Sequence, residues 1–264
     1  MQKVTSRDGT PIAFDRIGSG PPLILVDGAL CYRASGPLPK LAKHLGKSFT
    51  VITYDRRGRG DSGDQLPYAV EREIEDLDAL IKGAGGSALV CGVSSGAALA
   101  LEAANHGLAI QKLALYEAPF MVDDSRDPIP DDYLARLNAF VAADQRGDAV
   151  KLFMKFVGVP SFAIALMQIT PVWSKLKGIA HTLPYDITIV QQHQRGLPLP
   201  RNKWTAATMP TLAIDGGKSP AWMRNAMRSL SEVLPNATYR TLPGQTHMVS
   251  ASALTPVLTE FFRN

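Results

Sequence analysis

The sequence predicts an α/β protein built on a mostly parallel sheet with helices on both faces. Short apolar runs, typical of strands buried on both sides, alternate with stretches of helical periodicity along most of the 264 residues. Between residues 120 and 209 the pattern is helical and no convincing strand occurs. Because alternating strands and helices build a parallel sheet, this strandless stretch is expected to be an insertion.

The chain is expected to begin with an antiparallel pair of strands. Residues 3–6 and 11–17 flank Asp8-Gly9, and both turn residues tolerate the positive φ of a tight hairpin. Short apolar runs then predict buried strands. They cover residues 23–26, 49–54, 88–91, 113–116 and 211–214, and a last strand is expected over residues 239–242.

Helical patterns separate these strands. Each one places apolar residues on a single face, as expected for helices that cover a sheet. Ser219 and Pro220 are typical of an N-cap and a first helical residue, so a helix is expected to begin there. The other patterns within the sheet-forming part cover residues 37–45, 70–81, 97–106 and 254–262.

Composition excludes several classes of protein. With 45% hydrophobic and 20% charged residues, the chain has the balance of a soluble globular protein rather than a disordered or collagen-like one. The net charge of +4 is not concentrated in a basic cluster, which argues against nucleic acid as a partner. Cys31 and Cys91 lie far apart without a CxxC pair, so neither a metal site nor a disulfide framework is expected.

Two uncharged stretches raise the question of a membrane span. Residues 83–101 and 156–174 are long enough, but glycines and serines interrupt the first and prolines the second. Both are therefore expected to be buried or to line a cleft. Residues 1–9 do not resemble a signal peptide, and a cytoplasmic location is predicted.

The strongest chemical signal is the G-x-S-x-G sequence of residues 92–96. It stands between the predicted strand 88–91 and the predicted helix 97–106. In that setting the central residue, Ser94, occupies a sharp strand-to-helix turn that exposes its hydroxyl at the top of the sheet. Ser94 is therefore the candidate nucleophile.

His247 is the candidate general base for Ser94. A serine hydroxyl needs such a base to become nucleophilic. His247 lies between the last predicted strand and the last predicted helix, on the same edge of the sheet as Ser94. The other histidines lie at helix ends or in the insertion: His44, His106, His181 and His193.

Together these residues resemble the α/β-hydrolase family, and the resemblance covers nearly the whole chain. Residues 55–62, DRRGRGDS, are similar to the D-x-R-G-x-G-x-S loop that follows the fourth strand of that family, and Asp27-Gly28 stands where the family usually has His-Gly. The resemblance implies an eight-stranded sheet with a helical cap inserted after the sixth strand. It assigns residues 1–119 and 210–264 to the core and residues 120–209 to the cap.

The acid of the expected Ser-His-acid triad departs from the common family pattern. Many members have Gly-x-x-Asp after the strand that follows the cap, but here Ser219 stands at the aspartate position. Two carboxylates are candidates, Glu117 after the strand 113–116 and Asp215 at the end of the strand 211–214. Glu117 is favoured, because a residue at the tip of a strand can reach over the sheet edge toward a histidine.

The resemblance also implies two backbone donors for the oxyanion, the N–H groups of Ala29 and Ser95. Asp27 presents a difficulty beside them, since an ionised carboxylate aimed at the oxyanion would oppose catalysis. We therefore expect its side chain to point away and to pair with Arg57 or Arg59.

The expected cap is rich in apolar side chains. A cap has one face over the catalytic serine, so an apolar underside would favour an apolar acyl or alcohol group. The candidate substrate contacts are Phe120, Phe162, Met167 and Trp173.

The predicted function is that of a serine hydrolase, a carboxylesterase or thioesterase that acts on small apolar substrates through an acyl-enzyme. A carbon–carbon bond hydrolase or an acyltransferase would use the same triad. A non-catalytic ligand-binding protein on this fold is the alternative from another class. No cofactor, metal, nucleic acid or membrane partner is expected, and the chain is expected to be a monomer or a homodimer.

Overall fold

The computed structural model describes all residues 1–264 and contains one eight-stranded sheet. The strands are β1 (Gln2–Thr5), β2 (Pro11–Ile17), β3 (Pro22–Val26), β4 (Thr50–Tyr54), β5 (Ala88–Val93), β6 (Ile110–Tyr116), β7 (Thr211–Gly216) and β8 (Ala237–Leu242). Their order in the sheet is β1-β2-β4-β3-β5-β6-β7-β8. The strand β2 pairs antiparallel with β1 and β4, and all other neighbours pair in parallel. The predicted fold class is confirmed.

Ten α-helices accompany the sheet. They are α1 (Leu38–Leu45), α2 (Val70–Gly83), α3 (Ser95–Asn105), α4 (Tyr133–Ala142), α5 (Arg146–Phe156), α6 (Ser161–Gln168), α7 (Pro171–Ile179), α8 (Leu183–Val190), α9 (Ala221–Val233) and α10 (Ala251–Arg263). The helices α4 to α8 lie between β6 and β7, in a stretch that contributes no strand to the sheet. No helix of the structure has both the length and the apolar character needed to cross a membrane.

Apolar side chains of the central strands alternate between the two faces of the sheet. In β3, Ile24 and Val26 join a cluster that includes residues of α2, α3 and α9. Leu23 and Leu25 join a second cluster that includes residues of α1 and α10. Successive side chains of a strand point to opposite faces, so an uninterrupted apolar run is buried on both sides.

The predicted start of one helix is wrong. The helix expected at Ser219 and Pro220 begins at Ala221, and the buried Ser219 hydroxyl has no hydrogen-bond partner. The Ser219 N–H donates to the carbonyl oxygen of Gly216 at 2.9 Å. This bond holds Ser219 in the turn that follows β7, so its side chain does not cap the helix.

A buried ionic network joins α8 to the core. The Asp186 carboxylate accepts hydrogen bonds from Arg56 at 2.7 Å, from Arg59 at 2.6 Å and from the Ser95 hydroxyl at 2.7 Å. Arg56 also binds both oxygens of Glu73, at 2.6 and 2.7 Å. Burial alone would raise the pKa of Asp186, but Arg59 and Arg56 outweigh it and hold that pKa below its ordinary value. The helix α8 is thereby tied to the loop after β4 and to the start of α3.

We predict that Asp186→Asn destabilises the protein strongly. The substitution leaves two buried guanidinium groups without their shared counter-charge, and breaking a buried ion pair from one side costs about 3–5 kcal/mol. Urea-induced unfolding at pH 7 measures the change in the free energy of unfolding. The matched control is Asp131→Asn, since the Asp131 carboxylate pairs with Arg195 but is 97% exposed, and little change is expected there. Equal stability of the two variants would contradict the importance of the network.

Candidate active site

Ser94 occupies the sharp turn between β5 and α3. Its backbone has φ 56° and ψ −129°, a region that residues other than glycine rarely adopt. The turn is tight because α3 begins directly against the end of β3. A Cβ atom on Gly96 would lie 2.4 Å from the carbonyl oxygen of Val26. The strained turn therefore needs glycine at position 96 and presents Ser94 at the carboxyl edge of the sheet.

His247 lies in the loop between β8 and α10, and its ring contacts Glu117. The two groups meet through His247 Nδ1 and Glu117 Oε2, which are 2.7 Å apart. Glu117 is fully buried directly after β6, and its other oxygen accepts a hydrogen bond from the Gly216 N–H at 2.7 Å. The Tyr116 hydroxyl donates to the Thr246 carbonyl oxygen at 2.6 Å. These bonds fix both the position of the histidine loop and the orientation of the ring.

The second candidate acid, Asp215, lies within β7 and does not contact His247. One of its oxygens accepts a hydrogen bond from the Tyr239 hydroxyl of the neighbouring strand β8. Its other oxygen is buried and has no hydrogen-bond partner. Of the two carboxylates, only Glu117 is bonded to the histidine. Its role as the orienting acid stays a prediction.

Ser94 and His247 line the same cavity, which has a volume of about 550 Å³. The structure contains a hydrogen bond between His247 and Glu117 but none between Ser94 and His247. In free enzymes the hydrogen bond between nucleophile and base is often long and tightens only when substrate binds. The arrangement is therefore that of a serine and an oriented imidazole facing one cavity.

Two backbone N–H groups border this cavity beside Ser94. Ala29 and Ser95 both line it. The N–H of Ala29 donates no hydrogen bond within the protein, and Ser95, as the first residue of α3, has no intrahelical acceptor for its N–H. The loop after β3 passes so close to the serine that a Cβ atom on Gly28 would lie 2.9 Å from the Ser94 Cβ. Neither N–H group is used by a hydrogen bond within the protein, so both are candidate donors.

The expected ion pair between Asp27 and Arg57 or Arg59 is wrong. Arg57 binds the carboxylate of Asp76, with contacts of 2.7 and 2.8 Å. Arg59 binds Asp186. Both guanidinium groups are thus committed to other carboxylates, and Asp27 forms an ion pair with neither.

Asp27 is instead buried without a cationic partner. One carboxylate oxygen accepts a hydrogen bond from the Gly28 N–H at 2.9 Å. Burial raises its pKa to about 7, and this bond and the more distant Arg59 charge offset burial only in part. The raised pKa favours the neutral form of Asp27 below about pH 7, so burial rather than an ion pair reduces the negative charge near Gly28.

The four predicted substrate contacts do not line the cavity. Phe120 is buried between Trp204 and His193, at ring-centroid distances of 5.9 and 5.1 Å. Trp173 of α7 packs against Gly147 of α5. These side chains form core contacts, which a sequence pattern does not distinguish from contacts with a cavity. The other two lie on α6, where Phe162 is 77% exposed and Met167 packs at the edge of the core.

The apolar wall of the cavity comes from other elements. Phe153 and Phe156 lie in the last turn of α5. Trp222 and Met223 lie in the first turn of α9, and Met248 follows His247. The rule that ligands bind at the carboxyl edge of parallel strands would have indicated the start of α9 and the residue after His247, because both follow strands that end at this edge.

Charged residues of the cavity wall include Arg126, Lys218 and Asp186. Arg126 lies in the loop between β6 and α4, and Lys218 lies between β7 and α9. No three His, Cys, Asp or Glu side chains are grouped in the structure so that they could hold a metal ion.

Comparison with protein families gives one match over most of the chain. A model of the alpha/beta hydrolase family matches residues 11–257. An uncharacterized hydrolase of Bacillus subtilis (strain 168), YraK, is 38% identical over 101 residues, which are 36% of this chain and 35% of that protein. The match thus spans about a third of the length of that curated relative.

Two solved structures extend the similarity to the whole chain. An alpha/beta hydrolase from Sphaerobacter thermophilus DSM 20745 is 54% identical, with a TM-score of 0.90 over 99% of this chain and 100% of that chain. The enol-lactonase from Burkholderia xenovorans LB400 is 19% identical, with a TM-score of 0.73 over 100% of both chains. The second likeness concerns the fold alone.

We predict that the stability of the protein falls between about pH 4 and pH 7 because of Asp27. Since burial raises its folded pKa to about 7 from an ordinary value of 3.8, the folded protein keeps a proton over this window that the unfolded chain has lost, and unfolding becomes easier as pH rises. Asp27→Asn removes this dependence. At about 1.4 kcal/mol per pKa unit, wild type should lose roughly 2–4 kcal/mol more than the variant between pH 4 and pH 8.

Urea unfolding of both proteins at several pH values measures this difference. Asp131→Asn again serves as the control. Because the Asp131 carboxylate is exposed, its removal should not change how the free energy of unfolding depends on pH. Parallel profiles for wild type and Asp27→Asn would show that Asp27 is not the group responsible.

Proposed function

The chain belongs to the alpha/beta hydrolase family, and we propose that within it the protein is a serine hydrolase that cleaves an ester or thioester with a largely apolar acyl or alcohol group. The observation that carries the proposal is the hydrogen bond between Glu117 and His247 at the cavity that Ser94 also lines. A strained serine turn, an oriented imidazole and free backbone donors are the parts that acyl transfer requires.

In the proposed mechanism the Ser94 hydroxyl attacks the carbonyl carbon of the substrate. Because Glu117 accepts a hydrogen bond at His247 Nδ1, the proton of the neutral imidazole sits on that nitrogen. The other ring nitrogen, Nε2, is then unprotonated and takes the proton of the Ser94 hydroxyl. The buried Glu117 carboxylate holds this tautomer and stabilises the imidazolium that forms.

The attack places a negative charge on the former carbonyl oxygen. In our proposal the N–H groups of Ala29 and Ser95 donate hydrogen bonds to this oxyanion, and each such donor contributes on the order of 10²–10³ in rate in related enzymes. Collapse of the intermediate breaks the bond to the leaving group, which takes the proton from His247. An acyl ester on Ser94 remains.

A water molecule completes the proposed cycle. His247 removes a proton from the water as it attacks the acyl ester, and the second oxyanion occupies the same two donors. When this intermediate collapses, Ser94 regains its proton from His247 and the carboxylic acid is released.

The walls of the cavity support a substrate with an apolar part. Side chains such as Phe153, Val190 and Met223 face it, and its volume of about 550 Å³ lies in the range typical of small-molecule sites. Methionine side chains such as Met223 adapt to ligands of different shape. The geometry thus favours a small ester over a long polymer.

We predict that a serine-directed fluorophosphonate labels Ser94. The oriented His247 should activate this hydroxyl in the folded protein, and peptide mass spectrometry locates the adduct. Protein unfolded in urea and the Ser94→Ala variant are the controls, and neither should carry the label. If folded wild-type protein stays unlabelled at Ser94, a non-catalytic ligand-binding protein becomes the better interpretation.

We predict that Glu117→Gln lowers kcat/KM for p-nitrophenyl butyrate by roughly 10³–10⁴-fold, because the amide no longer stabilises the correct tautomer and the imidazolium. Asp215→Asn is the matched comparison. Its carboxylate bonds to Tyr239 and not to His247, so a loss below about tenfold is expected. The reverse order of the two losses would transfer the orienting role to Asp215.

A further inference from the structure

One cation in the wall of the candidate active-site cavity packs against two aromatic rings. The guanidinium carbon of Arg126 lies 4.4 Å from the ring centroid of Trp222 and 4.9 Å from that of Phe156. Both rings also line the cavity. Stacking on aromatic faces fixes the plane of a guanidinium group without using its N–H donors.

Those donors have almost no acceptors within the protein. A guanidinium group carries five N–H donors, and the hydrogen bond that Arg126 makes goes to the backbone carbonyl oxygen of Phe156. No carboxylate lies within ion-pair distance of Arg126, although Asp127 is its neighbour in sequence. The fully buried arginines Arg56 and Arg59, in contrast, pair with Asp186.

Burial makes this unpaired charge costly. It lowers the pKa of Arg126 from its ordinary value, because a partly desolvated cation loses hydration that two rings and one carbonyl oxygen replace only in part. An arginine nevertheless keeps its charge at neutral pH. A hydrophobic side chain would fill the space between the two rings at lower cost, so the charge itself requires an explanation.

The other charged groups of the cavity do not balance Arg126. Asp186 is the one carboxylate in the cavity wall, and two arginines already neutralise it. Lys218, an exposed second cation of the wall, has no ion pair either. Glu117 lies buried behind His247 and does not line the cavity. The cavity therefore carries excess positive charge at the wall that Arg126 forms.

We infer that the substrate carries a carboxylate in addition to its scissile bond, and that Arg126 binds this carboxylate. The inference rests on the proposed function and narrows it to esters such as half-esters of dicarboxylic acids. A carboxylate matches the planar fork of a guanidinium group and binds it through two parallel hydrogen bonds. The apolar side chains between Arg126 and Ser94 would contact the carbon atoms that link the two ends of the substrate.

The test compares two substrates that differ only at the far end of the acyl chain. Mono-p-nitrophenyl adipate ends in a carboxylate where p-nitrophenyl hexanoate ends in a methyl group. For wild type, kcat/KM should be roughly 10–100-fold higher with the adipate half-ester, as expected for a charge-assisted pair in a partly buried site. The preference should appear mainly in KM and should weaken as sodium chloride is added.

Variants at position 126 connect this preference to the arginine. Arg126→Met keeps an unbranched side chain between the rings and removes the charge, so the ratio of the two kcat/KM values should fall to about one. Arg126→Lys should keep part of the ratio. The control is Arg228→Met, which removes an arginine that stacks on Tyr239 outside the cavity, and it should leave the ratio as in wild type.

Binding to Ser94→Ala separates this inference from the proposed function. Calorimetric titration with monomethyl adipate, and with methyl hexanoate for comparison, reports recognition without turnover. Preferred binding of monomethyl adipate that disappears in the Ser94→Ala/Arg126→Met double variant would support the carboxylate site even if no ester were hydrolysed. The inference would be overturned if wild type hydrolysed and bound the adipate and hexanoate compounds equally well. It would also be overturned if Arg126→Met kept the wild-type ratio of the two kcat/KM values.

Discussion

The buried ion pairs of Asp186 join the parts of the molecule on which the active site depends. Asp186 belongs to α8, between β6 and β7, and its partners Arg56 and Arg59 belong to the loop after β4. The same carboxylate accepts a hydrogen bond from the Ser95 hydroxyl, so the residue beside the candidate nucleophile is held by α8. In a low-dielectric interior this geometry is strongly preferred, because either charge alone would be costly.

Three buried carboxylates near Ser94 illustrate how the surroundings decide the chemistry of one functional group. Asp186 is kept ionised by two arginines, whereas Asp27 is driven toward its neutral form by burial. Glu117 bonds to His247 and to a backbone N–H. The same functional group thus anchors α8 at Asp186, favours its neutral form at Asp27 and bonds to the histidine at Glu117. The difference between Asp186 and Asp27 follows from the two arginines that only Asp186 binds.

Most of the fold could be predicted from the sequence. Strands that are buried on both faces consist of short continuous apolar runs, and such runs are visible in the sequence itself. Every predicted strand is present, and α2 begins at the expected residue, Val70. The errors lie at element ends. The strand β6 begins at Ile110 rather than three residues later, since Gln111 and Lys112 are polar and hide the start of the strand. The prediction that Ser219 caps α9 is wrong, because the hydrogen bond from its N–H to the carbonyl oxygen of Gly216 holds Ser219 in the preceding turn.

For the active site, the sequence by itself determined the candidate nucleophile Ser94 and placed His247 at the same sheet edge, since strand ends and turn chemistry are local properties. Only the tertiary structure decided which carboxylate contacts that histidine and which side chains line the cavity. Glu117 and Asp215 both lie near the carboxyl ends of parallel strands, and the contact with the histidine loop distinguishes them. The unpaired charge of Arg126 likewise became visible only when its neighbours from α5 and α9 were in place, because pairing is a property of contacts distant in sequence.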